Sequence, residues 1–334
     1  MRTLVLGGTA FLGRAVAAEA VARGHEVVCA ARGRSGAVPA GAKLVEVDRD
    51  RSDGLAELAG ERFDAVVDVA TISHRWVADA LRVLGPTAGH WSFVSTVNVY
   101  ADVDTRGQGP DAPLLEPIAE HGSADSPEFG PEFYGGIKVA SENAVRGATD
   151  GAAFVVRPGL ITGPDDRSDR FGYWPARFLR GGRVLVPDVP GQPAQHLDVR
   201  DLAGWIVTAG EQRIAGCHDG VGPAEPLLEL LGEIAAVVEP SAEVEFVPVA
   251  PDALAAAGVN AWGGPRSLPL MAPEDHWGFL DHDAAPSLAA GLRIRPLAET
   301  VAGALATERA LGSDRARKAG MSAAEEAEVL ASLA

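Results

Sequence analysis

The chain is short of cysteine: Cys29 and Cys217 are its only two in 334 residues. Neither belongs to a C-x-x-C pair, and two thiols cannot build a disulfide framework, so a reducing cytoplasm is the expected compartment. Basic residues are also few, with 29 Lys and Arg against 46 Asp and Glu and a formal net charge of −17. Nucleic-acid affinity rests largely on clustered cations that displace counterions, and no basic run is present, so nucleic acid is not an expected partner. Long apolar runs are missing too. Nothing approaches the roughly 18 consecutive apolar residues of a membrane span, and no basic segment precedes an apolar one as in a secretory leader. No membrane association is expected. A metal is not expected either, because His218 beside Cys217 has no further ligands at zinc spacing.

What the sequence does have is a succession of short apolar runs alternating with helical patterns. TLVL (3–6), EVVCA (26–30), KLVEV (43–47), DAVVDVA (64–70), WSFVS (91–95) and AFVVR (153–157) are continuous rather than alternating, as strands buried on both faces are. Between the first two, Leu12, Val16 and Ala20 recur at i+4 and Gly24 follows, which completes a βαβ unit. The pattern predicts an α/β fold, a Rossmann doubly wound parallel sheet, over residues 1–160. Residues 161–334 are expected to form mostly a smaller substrate-binding lobe, with about 183–210 returning to the first domain. RVLVP (183–187) and QHLDV (195–199) read as short strands, and the Ala-rich tail as helix. The Asp-, Gly- and Pro-rich stretch 101–130 is either a lid or locally disordered.

The stretch LVLGGTAFLGRAV (4–16) is a glycine turn between a strand and a helix, with Ala10 where a dinucleotide fingerprint has its middle glycine. Gly7 permits the tight turn, Gly13 the close packing, and the backbone N–H groups at the helix start attract a pyrophosphate. Alanine adds a single methyl at the middle position, which weakens the fingerprint without removing it. The second strand ends in CAARGRSG, where Arg32 and Arg34 replace the acidic residue that holds a ribose 2′-hydroxyl. A guanidinium suits a 2′-phosphate, so NADP(H) is favoured and NAD(H) remains open; the alternative is a pair of solvated arginines.

EFYGGIKVASE places Tyr134 and Lys138 at i and i+4 on one helix face. The intervening Gly135 and Gly136 each cost roughly 1 kcal/mol in a helix interior, which points to close packing against something flat. A phenol beside an ammonium ion is expected to have its pKa lowered and to deliver a proton near neutral pH. WSFVSTVNVY supplies a strand-end hydroxyl from Thr96 or Ser95.

Taken together, GGTAFLG, VEVDRD, DAVVDVA, SFVSTVNVY, YGGIKVASE, RPGLITGP and QHLDVRDLA resemble the short-chain dehydrogenase/reductase superfamily, on its extended or atypical epimerase/dehydratase-like branch. The resemblance runs over most of the chain. It implies that Tyr134 is the acid/base, Lys138 its cofactor-anchoring partner, and Thr96 the catalytic hydroxyl, with Ser95 as fallback. The nucleotide contacts it implies begin with Gly7, Thr9, Ala10, Phe11, Leu12 and Gly13. Arg32 and Arg34 follow, then Asp48, which meets adenine, and Arg49. Ala70 and Thr71 come next, and Pro158, Gly159, Leu160 and Ile161 cover the nicotinamide. Substrate contacts would come from His74, Val97, Asn98, the aromatic run with Tyr173, Trp174 and Arg177, and His196. Trp262 and Trp277 could close the pocket. The helix HRWVADALRVLG lacks the asparagine of a proton relay, leaving a water or Ser73 to serve. The resemblance implies an NADP(H)-dependent oxidoreductase reducing a ketone or aldehyde of a small metabolite. An epimerase or dehydratase of nucleotide-sugar type is the alternative, and a non-catalytic NADP sensor or scaffold stands in another class. The partner expected is a small-molecule substrate, and the chain a monomer or homodimer.

Overall fold

The structure is a computed structural model that describes residues 1–70, 73–119, 131–312 and 315–333. Its centre is a seven-stranded parallel sheet. In chain order the first elements are β1 (Arg2–Leu6), α1 (Phe11–Ala22), β2 (Glu26–Ala31), β3 (Ala42–Glu46), β4 (Ala65–Asp68), α2 (His74–Leu84), β5 (Trp91–Val94), α3 (Pro131–Ala148) and β6 (Phe154–Pro158). β7 (Leu160–Thr162), α4 (Tyr173–Leu179), β8 (Gly182–Pro187), β9 (Pro193–Ala194), β10 (His196–Asp198), α5 (Val199–Gln212) and β11 (Gly216–Gly220) follow. The sheet order is β11-β6-β5-β4-β1-β2-β3. This is the Rossmann-like α/β arrangement that the continuous apolar runs predict. β4, β5 and β6 are buried along their whole length, whereas the edge strand β3 buries one residue of five.

Helices cover both faces. α1 and α5 enclose one core, in which Val16, Ala17 and Ala20 meet Leu202, Ile206 and Phe154. α2 and α3 enclose the other, in which Val77, Ala80, Leu81 and Val145 pack on Leu4, Val66 and Phe93. The strand order reverses between β1 and β4, so a crevice opens outside their carboxyl ends.

A further core lies beyond β7, built from Trp174, Phe178, Leu185, Leu227, Leu231, Ile234 and Val301 among others. Within 183–210, β8 pairs with the strand Val244–Val249 in this second core, while β10 pairs with β7 and α5 packs back against α1. The described part of the 101–130 stretch is ordered by backbone bonds: Phe279 N–H donates to Val103 O at 3.0 Å and Asp283 N–H to Gln108 O at 2.7 Å. Residues 120–130 lie outside the described residues. Among the described residues, no helix is long and apolar enough to cross a membrane.

Candidate active site

The crevice holds a cleft of about 440 Å³. Its floor is the glycine turn. Gly7 sits at φ +105°, left-handed backbone that favours glycine, and its N–H donates to Ala30 O at 2.9 Å, tying the turn to β2. A Cβ on Gly13 would stand 2.9 Å from the Gly7 carbonyl carbon and closer still to its oxygen, so helix and turn touch backbone to backbone. Ala10 is exposed and extended, with φ −140° and ψ 148°, a conformation open to any L-residue. The missing middle glycine therefore costs nothing in backbone geometry. Ala10 is also the N-cap of α1, and neither a side-chain cap nor an acidic first-turn residue satisfies the helix's leading N–H groups. A helix start left bare in this way fits a pyrophosphate.

Thr9, Ala10, Phe11, Leu12 and Gly13 line the cleft, as do Arg32, Arg49, Ala70, Pro158, Gly159 and Ile161. Other expected nucleotide contacts are placed elsewhere. Arg34 is exposed and does not line it. The Asp48 carboxylate accepts the Asp50 N–H at 3.2 Å, outside the lining. Leu160 packs in the second core, because β7 turns away from the sheet to pair with β10. Thr71 lies outside the described residues. Arg49 is held in a fork on buried Asp68, with bonds of 2.7 and 2.9 Å, donates to Trp76 O at 2.6 Å, and lies over the Trp76 ring. Trp76 and Ser35 also line the cleft, although sequence reasoning missed them. Among the described residues the lining contains Arg32, Arg49 and Lys138 but no carboxylate, in a chain whose net charge is −17.

At the other end α3 brings Tyr134 to Thr96, and their hydroxyl groups are hydrogen-bonded. Thr96 caps a short turn by accepting the Asn98 N–H at 3.2 Å. The two helix glycines explain this approach. A Cβ on Gly135 would strike the Asn98 carbonyl, and one on Gly136 would lie 2.7 Å from Ile118 and 2.9 Å from the Glu116 oxygen. The partner of the glycines is thus the chain itself, the Asn98 and Glu116 carbonyls with the Leu115 and Ile118 side chains. Lys138 is fully enclosed: its ammonium donates to the Ala70 carbonyl and, at 2.7 Å, to the Val94 carbonyl. That uses two of its three donors. Burial pushes its pKa down to about 7, against the opposing pull of Asp68 and Glu142. The expectation that Lys138 lowers the Tyr134 pKa is corrected here. Burial of the phenol raises it, outweighing the hydrogen bond from Thr96, so Tyr134 stands as a protonated donor.

Ser95, the fallback hydroxyl, is committed elsewhere: it donates to Glu142 at 2.5 Å, and Glu142 is paired with Arg157 at 2.7 Å. All three are buried. Arg157 continues to the Tyr100 hydroxyl at 3.0 Å, which donates to Asp219 at 2.5 Å. Sequence reasoning missed this polar chain, though Glu142 follows Lys138 by one more i+4 step on the same face of α3. Ser73, the candidate relay hydroxyl, instead caps α2 by accepting the Trp76 N–H.

The expected substrate residues do not converge. His74 is half-buried at the start of α2, Val97 is buried in a small cluster with Val99 and Tyr100, and Asn98 is exposed; none lines the cleft. Tyr173 and Trp174 are core residues of the second lobe, with Trp174 Nε1–H donating to Pro269 O at 3.0 Å. Arg177 is buried on Glu326 at 2.5 Å. His196 packs on Phe171, and burial pushes its pKa down to about 4. Trp277 donates to Ala272 O at 3.3 Å, and Trp262 lies under the Arg170 guanidinium.

Comparison with known proteins places these features. Residues 3–79 match the NAD dependent epimerase/dehydratase family. The chain is similar to 2′-dehydrokanamycin reductase of Streptomyces kanamyceticus, 32% identical over 56% of this chain and 52% of that protein, so the match spans about half of that relative. It is also similar to an epimerase family protein of Bos taurus, 29% identical over 74% of this chain and 86% of that one. In fold it is similar to the Bordetella bronchiseptica enzyme WbmG, solved in complex with NAD and UDP, with a TM-score of 0.66, 18% identity, and coverage of 93% of this chain and 96% of that one.

Proposed function

We propose, for a chain whose first strands and glycine turn match the NAD dependent epimerase/dehydratase family and whose architecture is that of the extended short-chain dehydrogenases/reductases, that it is an NADP(H)-dependent reductase of a ketone or aldehyde on a small metabolite. The observation that carries this reading is Arg32, which follows β2 and lines the cleft at the place where an NAD site has its acidic residue. A 2′-phosphate adds about −1.5 to −2 charges to the nucleotide, and a guanidinium at this position suits it by charge and bidentate hydrogen bonding.

The bare start of α1 would hold the pyrophosphate, and the third Lys138 donor is available to a ribose hydroxyl. When bound, the reduced nicotinamide supplies the hydride. Tyr134, kept protonated by burial, gives its proton to the carbonyl oxygen, while the Thr96 hydroxyl, donating to the phenol oxygen, orients it. Reduction takes the proton from the phenol as the hydride reaches the carbonyl carbon. The relative named a reductase is consistent with this direction.

The test uses a panel of ketones and aldehydes with NADPH deuterated on the transferred face. One deuterium fixed in product for each NADPH consumed is the expected result, with Tyr134→Phe losing turnover while still binding NADPH. Product formed without net loss of NADPH would instead establish the epimerase/dehydratase reading, in which the hydride returns to its source. Cofactor binding with no turnover on any carbonyl would leave a sensor or scaffold.

A further inference from the structure

A second opening of about 710 Å³ adjoins the cleft and shares Thr9, Ala10, Phe11, Ser35, Gly159 and Ile161 with it. Its far wall is formed by Asp165, Asp166, Arg167, Ser168 and Arg170 of the loop after β7, together with Lys318. Charge is gathered there and left unspent. Both acids on this wall are already engaged: Asp165 pairs with Arg14 at 3.2 Å, and the Asp166 carboxylate accepts the Ser168 N–H at 2.8 Å and its hydroxyl at 3.1 Å. The cations are different. Among the described residues, the side chains of Arg167, Arg170 and Lys318 donate no hydrogen bond.

Arg170 is the most constrained of the three. It is half-buried, and its guanidinium lies 5.4 Å from the centroid of the Trp262 ring. Trp262 is itself held at φ +64°, a backbone conformation that costs of order 1 kcal/mol or more for a large side chain. Stacking on an aromatic face fixes the guanidinium plane and leaves its edge of N–H donors directed away from the ring. Burial works against the charge, and Asp166 only partly offsets it. A guanidinium with five donors, fixed in place and lacking an acceptor, is unfavourable unless a ligand supplies one.

We infer that Arg170, braced by Trp262 and flanked by Arg167 and Lys318, is an oxyanion site that receives a phosphate or carboxylate group of a ligand lying across the cleft. The inference rests on the cleft assigned above. Two sources share this chemistry: an acidic group on the carbonyl substrate, or the diphosphate of the nucleotide, which the shared glycine turn brings within the same opening.

Titration separates them without reference to turnover. Inorganic phosphate is titrated calorimetrically into the full chain, alone and after saturation with NADP⁺, and NADP⁺ is titrated separately. Each is repeated with Arg170→Met, which keeps an apolar contact for Trp262, and with Arg170→Lys, which keeps the charge; a thermal melt of each variant confirms folding. Loss of one charge-assisted contact is expected to weaken binding about tenfold or more, with partial recovery in Arg170→Lys. Phosphate bound in the presence of NADP⁺ and lost in Arg170→Met assigns the site to a substrate acid. Phosphate displaced by NADP⁺, with NADP⁺ itself bound more weakly by Arg170→Met, assigns it to the nucleotide. Unchanged affinity for both ligands in a folded Arg170→Met variant overturns the inference. That result leaves the reductase reading untouched, because the latter is decided by isotope and stoichiometry.

Discussion

Lys138→Met, compared with the parent chain across pH in the absence of nucleotide, isolates the charge enclosed beneath the cleft. Burial lowers the Lys138 pKa from its ordinary 10.5 to about 7. Between those values the unfolded chain binds a proton that the folded chain does not, so folding stability contributed by this residue rises with pH through the window from about 7 to about 10. The slope is about 1.4 kcal/mol per pH unit, or about 5 kcal/mol between about 7 and 10.5. Methionine cannot titrate. It also leaves the Ala70 and Val94 carbonyls without their donor, a penalty of about 1–3 kcal/mol for each unsatisfied group that is nearly independent of pH. Urea unfolding of both proteins at several pH values gives the stability difference between them, in which every other titrating group cancels to first order. Subtracting Lys138→Met from parent should leave a line that rises with pH and levels off above about 10. A difference that stays flat from pH 7 to 10 refutes the downward shift of the Lys138 pKa.

Gly13→Ala drives a methyl into the Gly7 carbonyl, and neither partner is a flexible side chain. It should weaken NADPH binding severely and cost about 1–3 kcal/mol of stability, read by fluorescence titration and thermal melting; full binding would show that helix and turn are not in backbone contact. Arg32→Glu should raise the dissociation constant for NADPH far more than that for NADH, since it sets a carboxylate against a phosphate. Equal changes for the two nucleotides would remove Arg32 from 2′-phosphate recognition.

The order of elements was legible because it is local. Continuous apolar runs such as DAVVDVA can be buried on both faces only in a covered parallel sheet, and Gly7 followed by an uncapped helix start needs no distant contact to make a turn that attracts anions. The pairing of Tyr134 with Lys138 was likewise set by helical period. What helical period could not give is environment. Whether the phenol is acidified by its neighbour or made more basic by burial depends on what closes over α3, and the Asn98 and Glu116 carbonyls with the Leu115 and Ile118 side chains do so. Ser95 and Thr96 are chemically interchangeable in the sequence; only the packing of α3 on β5 and β6 commits Ser95 to Glu142 and Arg157 and leaves Thr96 to Tyr134. The same limit explains the aromatic run. Tyr173 and Trp174 have the composition of a binding surface, but α4 turns them into the second core, while Arg170, on the wall of the adjoining opening, takes its aromatic ring from Trp262, ninety-two positions along the chain. Local geometry alone brings together the glycine turn and the Tyr134–Lys138 pair; the choice among equivalent hydroxyls, arginines and rings was made by long-range packing, which decides what each charge and donor is buried against.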